Sequence, residues 1–151
     1  MILKILQGTN NPILRQKAEP VKQITAEIKQ LVLDIKETLE AHLNGIGLAA
    51  PQVGRLLRII AVKPYPEQET LILINPEIKK KSWSKEIMIE GCLSLPRTAL
   101  PVKRAKKIAV EALDINGQKI KIKAKDFLAR VIQHEIDHLE GILITDKKYE
   151  S

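Results

Sequence analysis

Residues 108–125 place the tightest constraint on what this chain can become. Two runs rich in β-branched residues, 108–115 and 118–124, flank Asn116-Gly117. That dipeptide between strand-like runs is the strongest short-range hairpin signal, and it predicts a type I′ turn. In the second run Lys119, Lys121, Lys123 and Lys125 alternate with Ile120, Ile122 and Ala124. Successive strand side chains point to opposite faces, so the alternation predicts a wet lysine face and a dry isoleucine face.

The rest of the chain supplies partners for that hairpin. Residues 56–62 and 70–74 are strand candidates, and 87–95 is a further extended candidate. Residues 13–18 predict one or two helical turns. Thr25 is an N-cap for a helix to about residue 43, with Ile28, Leu31, Val32, Ile35, Leu39 and Leu43 on one face. Residues 45–54 hold too many glycines for a helix interior and read as a loop. Asp126 predicts the cap of a last helix over 127–140, with Gly141 as its stop. Residues 142–144 predict a short final strand. Mostly antiparallel strands with two substantial helices make an α+β fold, and 151 residues with no repeat or linker make one domain, 1–151.

Bulk properties narrow the function classes. The chain is 44% hydrophobic and 28% charged, as expected of a soluble globular protein. No apolar run approaches the roughly 20 residues of a membrane helix. Residues 1–8 lack a signal-peptide cleavage pattern, which predicts a cytoplasmic location, an organelle or a phage-infected host included. The net charge of +7 favours acidic partners, a transient contact with the ribosome surface among them. Aromatics are only 3%, which argues against base-stacking platforms and sequence-specific nucleic-acid binding. The lone cysteine, Cys92, has no disulfide partner. It is a buried small hydrophobe, a nucleophile or a metal ligand.

The last helix carries chemistry in His134-Glu135-Ile136-Asp137-His138. Residues four apart lie about 40° apart around a helix, so both imidazoles point toward one cation. Glu135 is placed to act as general base without binding the metal. A chance His-Glu-x-x-His on an exposed helix is the bland alternative. A metal site of this kind takes a third protein ligand and leaves a position open for water. Downstream, Glu140 follows too closely and Glu150 lies next to the chain end, which leaves Cys92. Sulfur with two imidazoles suits zinc or ferrous iron.

Three strings together resemble the signature motifs of the peptide deformylases. They are Gly45-Ile46-Gly47-Leu48-Ala49-Ala50-Pro51-Gln52-Val53-Gly54, Glu90-Gly91-Cys92-Leu93-Ser94 and Gln133-His134-Glu135-Ile136-Asp137-His138. Asn11-Pro12-Ile13-Leu14-Arg15 and Ile74-Asn75-Pro76 resemble flanking features of the family, so the likeness covers nearly the whole chain. It implies a hydrolase that removes the formyl group from the N-terminal formyl-methionine of nascent polypeptides. It implies one divalent ion on Cys92, His134 and His138, with iron(2+) as the native metal and zinc, nickel or cobalt as substitutes. By the same resemblance Glu135 moves the proton, while the Gln52 amide and the Leu93 N–H receive the developing oxyanion. Gly47 lies beside the substrate, and Ile46, Met88, Phe127 and the His134 face line the methionine slot. Glu90 and Arg104 form a supporting ion pair, Asp137 orients its surroundings, and His42 is a surface residue.

The sequence departs from the family in two places. Val102-Lys103-Arg104, preceded by Leu100-Pro101, replaces a Val-Pro-Arg common in bacterial members, which bears on preferences beyond methionine. The chain ends at Ser151, without the C-terminal helix implicated in ribosome docking in many relatives, so docking by that route is not expected. Two other readings compete. A zincin-like metallopeptidase lacks its downstream third ligand, and a non-catalytic metal-binding module leaves the catalytic groups without a purpose.

Overall fold

A computed structural model describes all 151 residues. Thr25 caps the first helix, α1 (Ala26–Ala41), its hydroxyl accepting from the Ile28 N–H at 3.2 Å. Five strands then make one antiparallel sheet in the order β1-β2-β3-β6-β7. They are β1 (Gly47–Ala49), β2 (Ile59–Val62), β3 (Leu71–Lys81), β6 (Lys107–Leu113) and β7 (Lys119–Lys125). A separate two-stranded sheet pairs β4 (Lys85–Cys92) with β5 (Leu95–Ala105). The second helix, α2 (Asp126–Leu139), follows β7 directly.

The five-stranded sheet lies between the helices. Ile59, Ala61 and Ile74 pack with Leu31, Val32, Ile35 and Leu39 of α1. Ile60, Val62, Leu73, Val110, Ala112 and Ala124 pack with Ala129, Val131, Ile132 and Leu139 of α2. Strand β2 is therefore buried on both faces, which explains its unbroken apolar run. Burying these aliphatic side chains is the main force that fixes the orientation of α2. Beyond the reach of α1, β6 and β7 keep only one dry face, and the lysines of β7 are exposed as their alternation predicts.

Several local expectations are corrected. The Asn116-Gly117 hairpin forms, but only Gly117 takes a positive φ, of 80°, so the turn is not type I′. Asp114 closes a three-residue loop instead. Its N–H donates to the Gln118 carbonyl, and its carboxylate accepts from the Asn116 and Gln118 N–H groups at 2.8 and 3.0 Å. Residues 13–18 form turns held by the Asn11 side chain on the Ile13 N–H, not helix. Within the glycine-rich stretch the chain forms β1 and a 3-10 turn, Ala50–Val53. Residues 142–144 do not form a strand; Ile144–Asp146 is 3-10. Asp126 is not a side-chain cap, because β7 runs into α2 with Lys125 as N-cap. Its carboxylate still lies at the positive end of the helix.

Gly141 ends α2 as expected, at φ 72°. The N–H groups of Gly141 and Ile142 donate to the His138 and Asp137 carbonyls, which satisfies the helix end. A Cβ on Gly141 would stand 2.4 Å from the Arg15 carbonyl oxygen, so the glycine also admits the N-terminal turn against the helix.

Candidate active site

Helix α2 brings His134 and His138 to one side, as their spacing requires, and β4 ends at Cys92 opposite them. The three ligating atoms lie within 4.8 Å of one another, and the Cys92 Sγ is 3.4 Å from the His138 Nε2. Tetrahedral bonds of about 2.3 Å to sulfur and 2.0–2.1 Å to nitrogen would put such a pair roughly 3.6 Å apart. The donor set and its spacing fit a single divalent ion.

A buried charge network holds one of the imidazoles. The His134 Nδ1 is 2.8 Å from the Glu90 Oε1. Arg104 grips both oxygens of Glu90, at 2.8 and 2.9 Å, and reaches the Asp137 carboxylate at 2.6 Å. Arg130 donates to Glu90 as well, and to the Val102 and Glu86 carbonyls. Burial would raise the Glu90 pKa, but Arg104 and His134 hold it far below the usual carboxylate range. Burial would lower the His134 pKa, but its bonds to Cys92 and Glu90 and the nearby Glu135 charge push it up to about 10. The surroundings that hold a proton there also favour a cation. His138 is pushed well below its ordinary value by burial and by the His134 and Arg104 charges, so its ring is neutral and suited to ligation.

Glu135 faces the same space from α2. It is buried, and its Oε1 has no hydrogen-bond partner. Burial pushes its pKa up to about 7, against the pull of His134 and Arg104. A carboxyl poised there both takes and gives protons near neutral pH. Gly47 makes room for it, since a Cβ at 47 would stand 2.4 Å from the Glu135 Oε2. The close approach that needs a glycine is thus first of all to Glu135.

Gln52 sits in the 3-10 turn, fully buried. Its Oε1 accepts from the Ala49 N–H at 2.9 Å, which fixes the amide. Its Nε2 lies 3.0 Å from the Ser94 Oγ and 3.7 Å from the Cys92 Sγ. The Leu93 N–H makes no hydrogen bond within the protein. Both groups border a cavity of about 450 Å³ that Ile46, Gly47, Phe127, Val131 and Glu135 also line. Met88 is not brought to this cavity. Ile89 and Arg130 border it instead, and Arg130 also donates to the Glu86 carbonyl and to Glu90, the residues two before and two after Met88 in β4.

Sequence reasoning missed Arg130 and Ser94. Arg130 carried a signal: it precedes His134 by four residues and so shares the face of both histidines. Ser94 lay inside a recognised motif but had no assigned partner. Arg97 borders the cavity at φ 66°, and nothing in its local sequence announces that conformation.

A buried carboxyl pushed up toward neutrality, set against a cluster fit for one cation and beside the unspent Leu93 N–H, is the equipment for breaking an amide with water. By fold and centre the chain is a metal-dependent hydrolase. The profile of the polypeptide deformylase family matches residues 2–150, and the chain belongs to that family. Its activity is the removal of an N-terminal formyl group, and the family's chemistry depends on a divalent metal. The peptide deformylase of Dictyoglomus thermophilum is 47% identical over 99% of this chain and 95% of its own length. Peptide deformylase 1 of Clostridium perfringens is 48% identical over 97% and 98%. The Thermotoga maritima peptide deformylase structure superposes with a TM-score of 0.93 at 34% identity, covering 99% of each chain. An Acinetobacter baumannii deformylase structure with Met-Ala-Ser bound gives 0.91 at 33% identity, covering 97% of this chain and 98% of that one.

Proposed function

We propose that residues 1–151 form one catalytic domain that deformylates the formyl-methionine of nascent polypeptides in the cytoplasm. Cys92, His134 and His138 hold one ion, ferrous iron in the cell, which zinc, nickel or cobalt can replace. When bound, the ion supplies Lewis acidity toward water and the formyl oxygen. Glu135 takes the proton of the attacking water and delivers it to the departing amine. Gln52 holds one N–H toward the developing oxyanion, its amide fixed by Ala49, and the unspent Leu93 N–H is the second donor. Glu90 orients His134 while Arg104 and Arg130 hold Glu90. Ile46 and Phe127, with Val131, receive the methionine side chain. Contact with the ribosome surface is transient and driven by the net positive charge.

The convergence of Cys92 with the two imidazoles beside a Glu135 poised near neutrality carries this reading. Its test is anaerobic purification, metal analysis and formate release from formyl-methionyl peptides, with casein as control and Glu135→Gln as variant. The variant is expected to keep its metal and lose roughly 10²–10⁴-fold in rate. Undiminished turnover would remove Glu135 from the mechanism, and casein cleavage would favour a zincin-like peptidase.

A further inference from the structure

The outward face of β3, β6 and β7 is charged in a way that the hydrolytic reading leaves unused. Lys79, Lys80, Lys81 and Lys85, Lys106 and Lys107, and the four lysines of β7 occupy stretches that contain no acidic residue. Of these ten only Lys79 makes an ion pair, to Glu77. Lys107 stands directly opposite Lys125, and Lys80 and Lys123 flank Ala109 in the next cross-strand row. Like charges directly opposite destabilise a sheet. One pair further on, Glu111 faces Lys121, so alternating charge was available to this sheet and is absent here. The small Ala109 leaves a trough of about 550 Å³ between Lys80, Lys107, Lys123 and Lys125.

Trp83, the only tryptophan, directly follows Ser82, which borders the trough, and is 99% exposed. Its corner is rigid. The Ser82 N–H donates to the Lys107 carbonyl, and the Lys107 N–H donates to the Ser82 hydroxyl. The Ser84 carbonyl accepts from the Ser82 hydroxyl and from the Lys106 N–H. Protection of a sheet edge explains lysines on β7, the edge strand. It does not explain Lys80 and Lys107 on inner strands, still less a bare indole, which invites association.

We propose that this face binds single-stranded RNA without sequence preference, with phosphates on the lysines of the trough and an unpaired base stacked on Trp83. A row of cations about 6.6 Å apart along β7, joined by Lys80 and Lys107 from the neighbouring strands, lies beside the one exposed indole of an otherwise aromatic-poor chain, and these are the two parts such binding needs. Lys80, Lys107, Lys123 and Lys125 lie on the side of the sheet away from α2, and the trough shares no residue with the cavity at Glu135. The proposal does not depend on the catalytic reading.

The test uses the metal-loaded full chain and a labelled oligo-uridine, followed by anisotropy and by Trp83 emission between about 50 and 200 mM salt. Five phosphate contacts predict a slope of log affinity on log salt of about −3.5. The combined Lys107→Glu, Lys123→Glu and Lys125→Glu variant should flatten that slope by about 2. Trp83→Ala should weaken binding roughly tenfold. Binding should quench the indole, and both variants should keep the parent's kcat/KM on a formyl-methionyl tripeptide, which shows that they fold. Affinity unmoved by the charge reversal, or emission unmoved by RNA, overturns the proposal. Tighter binding to phosphatidylcholine–phosphatidylserine vesicles than to RNA would also overturn it and assign the face to a membrane surface.

Discussion

Replacing Gly47 by alanine should separate the placement of Glu135 from the integrity of the fold. The added Cβ would lie 2.4 Å from the Oε2 and 2.9 Å from both the Cδ and the Cγ of Glu135. Ordinary contact begins near 3.4 Å, so the carboxylate must retreat by 3.4 − 2.4 = 1.0 Å. Three atoms of the side chain are crowded together, so rotating the carboxyl end alone does not relieve the contact. A displacement of about 1 Å at a reacting group costs on the order of 10²-fold in rate, or about 2.7 kcal/mol of barrier. Stability should change little. The φ at Gly47 is not positive, so alanine fits the backbone, and restricting the unfolded chain stabilises by about 0.4–1 kcal/mol. The assay is kcat/KM for formate release, with metal content and a thermal melt measured on the same sample. A variant that keeps its metal, melts within a few degrees of the parent and retains more than a third of its kcat/KM would refute the argument. Glu135 would then have slack that the structure does not show.

Arg130→Met removes one of the two arginines that hold Glu90. With Arg104 remaining, the cost should be near the low end for a broken buried pair, about 3 kcal/mol, and chelator competition should show metal affinity reduced about 10-fold or more; unchanged affinity would detach the Glu90 network from the metal site. Gly141→Ala forces a left-handed alanine and a 2.4 Å clash with Arg15, so the protein should lose about 3 kcal/mol and melt roughly 6–12 °C lower. A melt within a degree or two of the parent's would refute that packing. Asp146 pairs with Arg15 and accepts from the Leu143 N–H, and these outweigh burial to hold its pKa below 3.8. A lowered acid pKa adds stability that is present above about pH 4 and lost on acidification. Asp146→Asn should therefore cost at most about 1 kcal/mol at neutral pH, the site being partly exposed, and nothing once the pH falls below the folded value. Denaturant titrations at several pH values check this, and a cost that persists in acid would refute it.

The legible parts of this protein are those governed by one period or one local bond. The apolar stripe of α1 as far as Leu39, the alternation of β7 and the four-residue step between His134 and His138 all follow from backbone geometry and appear in the structure, whereas the helix ends at Ala41 and leaves Leu43, the last residue of the expected stripe, exposed. Strand β5 was missed because Pro96 and Pro101 interrupt any strand pattern. The two-stranded sheet admits them, since proline is tolerated where a ladder bond is not required. The turn at Asn116-Gly117 departs from the type I′ form that the dipeptide predicts because the Asp114 carboxylate, two residues earlier, binds the loop N–H groups in another geometry. The sequence implies only clearance for a ligand at Gly47, and its relation to Glu135 emerges only when residues 88 positions apart meet. Placing Arg130 on Glu90 needed the same long-range knowledge.

The candidate ligands are divided between two separately built bodies, with the sulfur on the β4–β5 ribbon and both nitrogens on a helix locked into the main core. A two-stranded ribbon has little stability of its own. Undocking it would carry the sulfur away and leave the histidines in place. The dwell time of an ion would then track how often the ribbon lets go, and hydrogen exchange along residues 85–105 would read out the same event as metal loss.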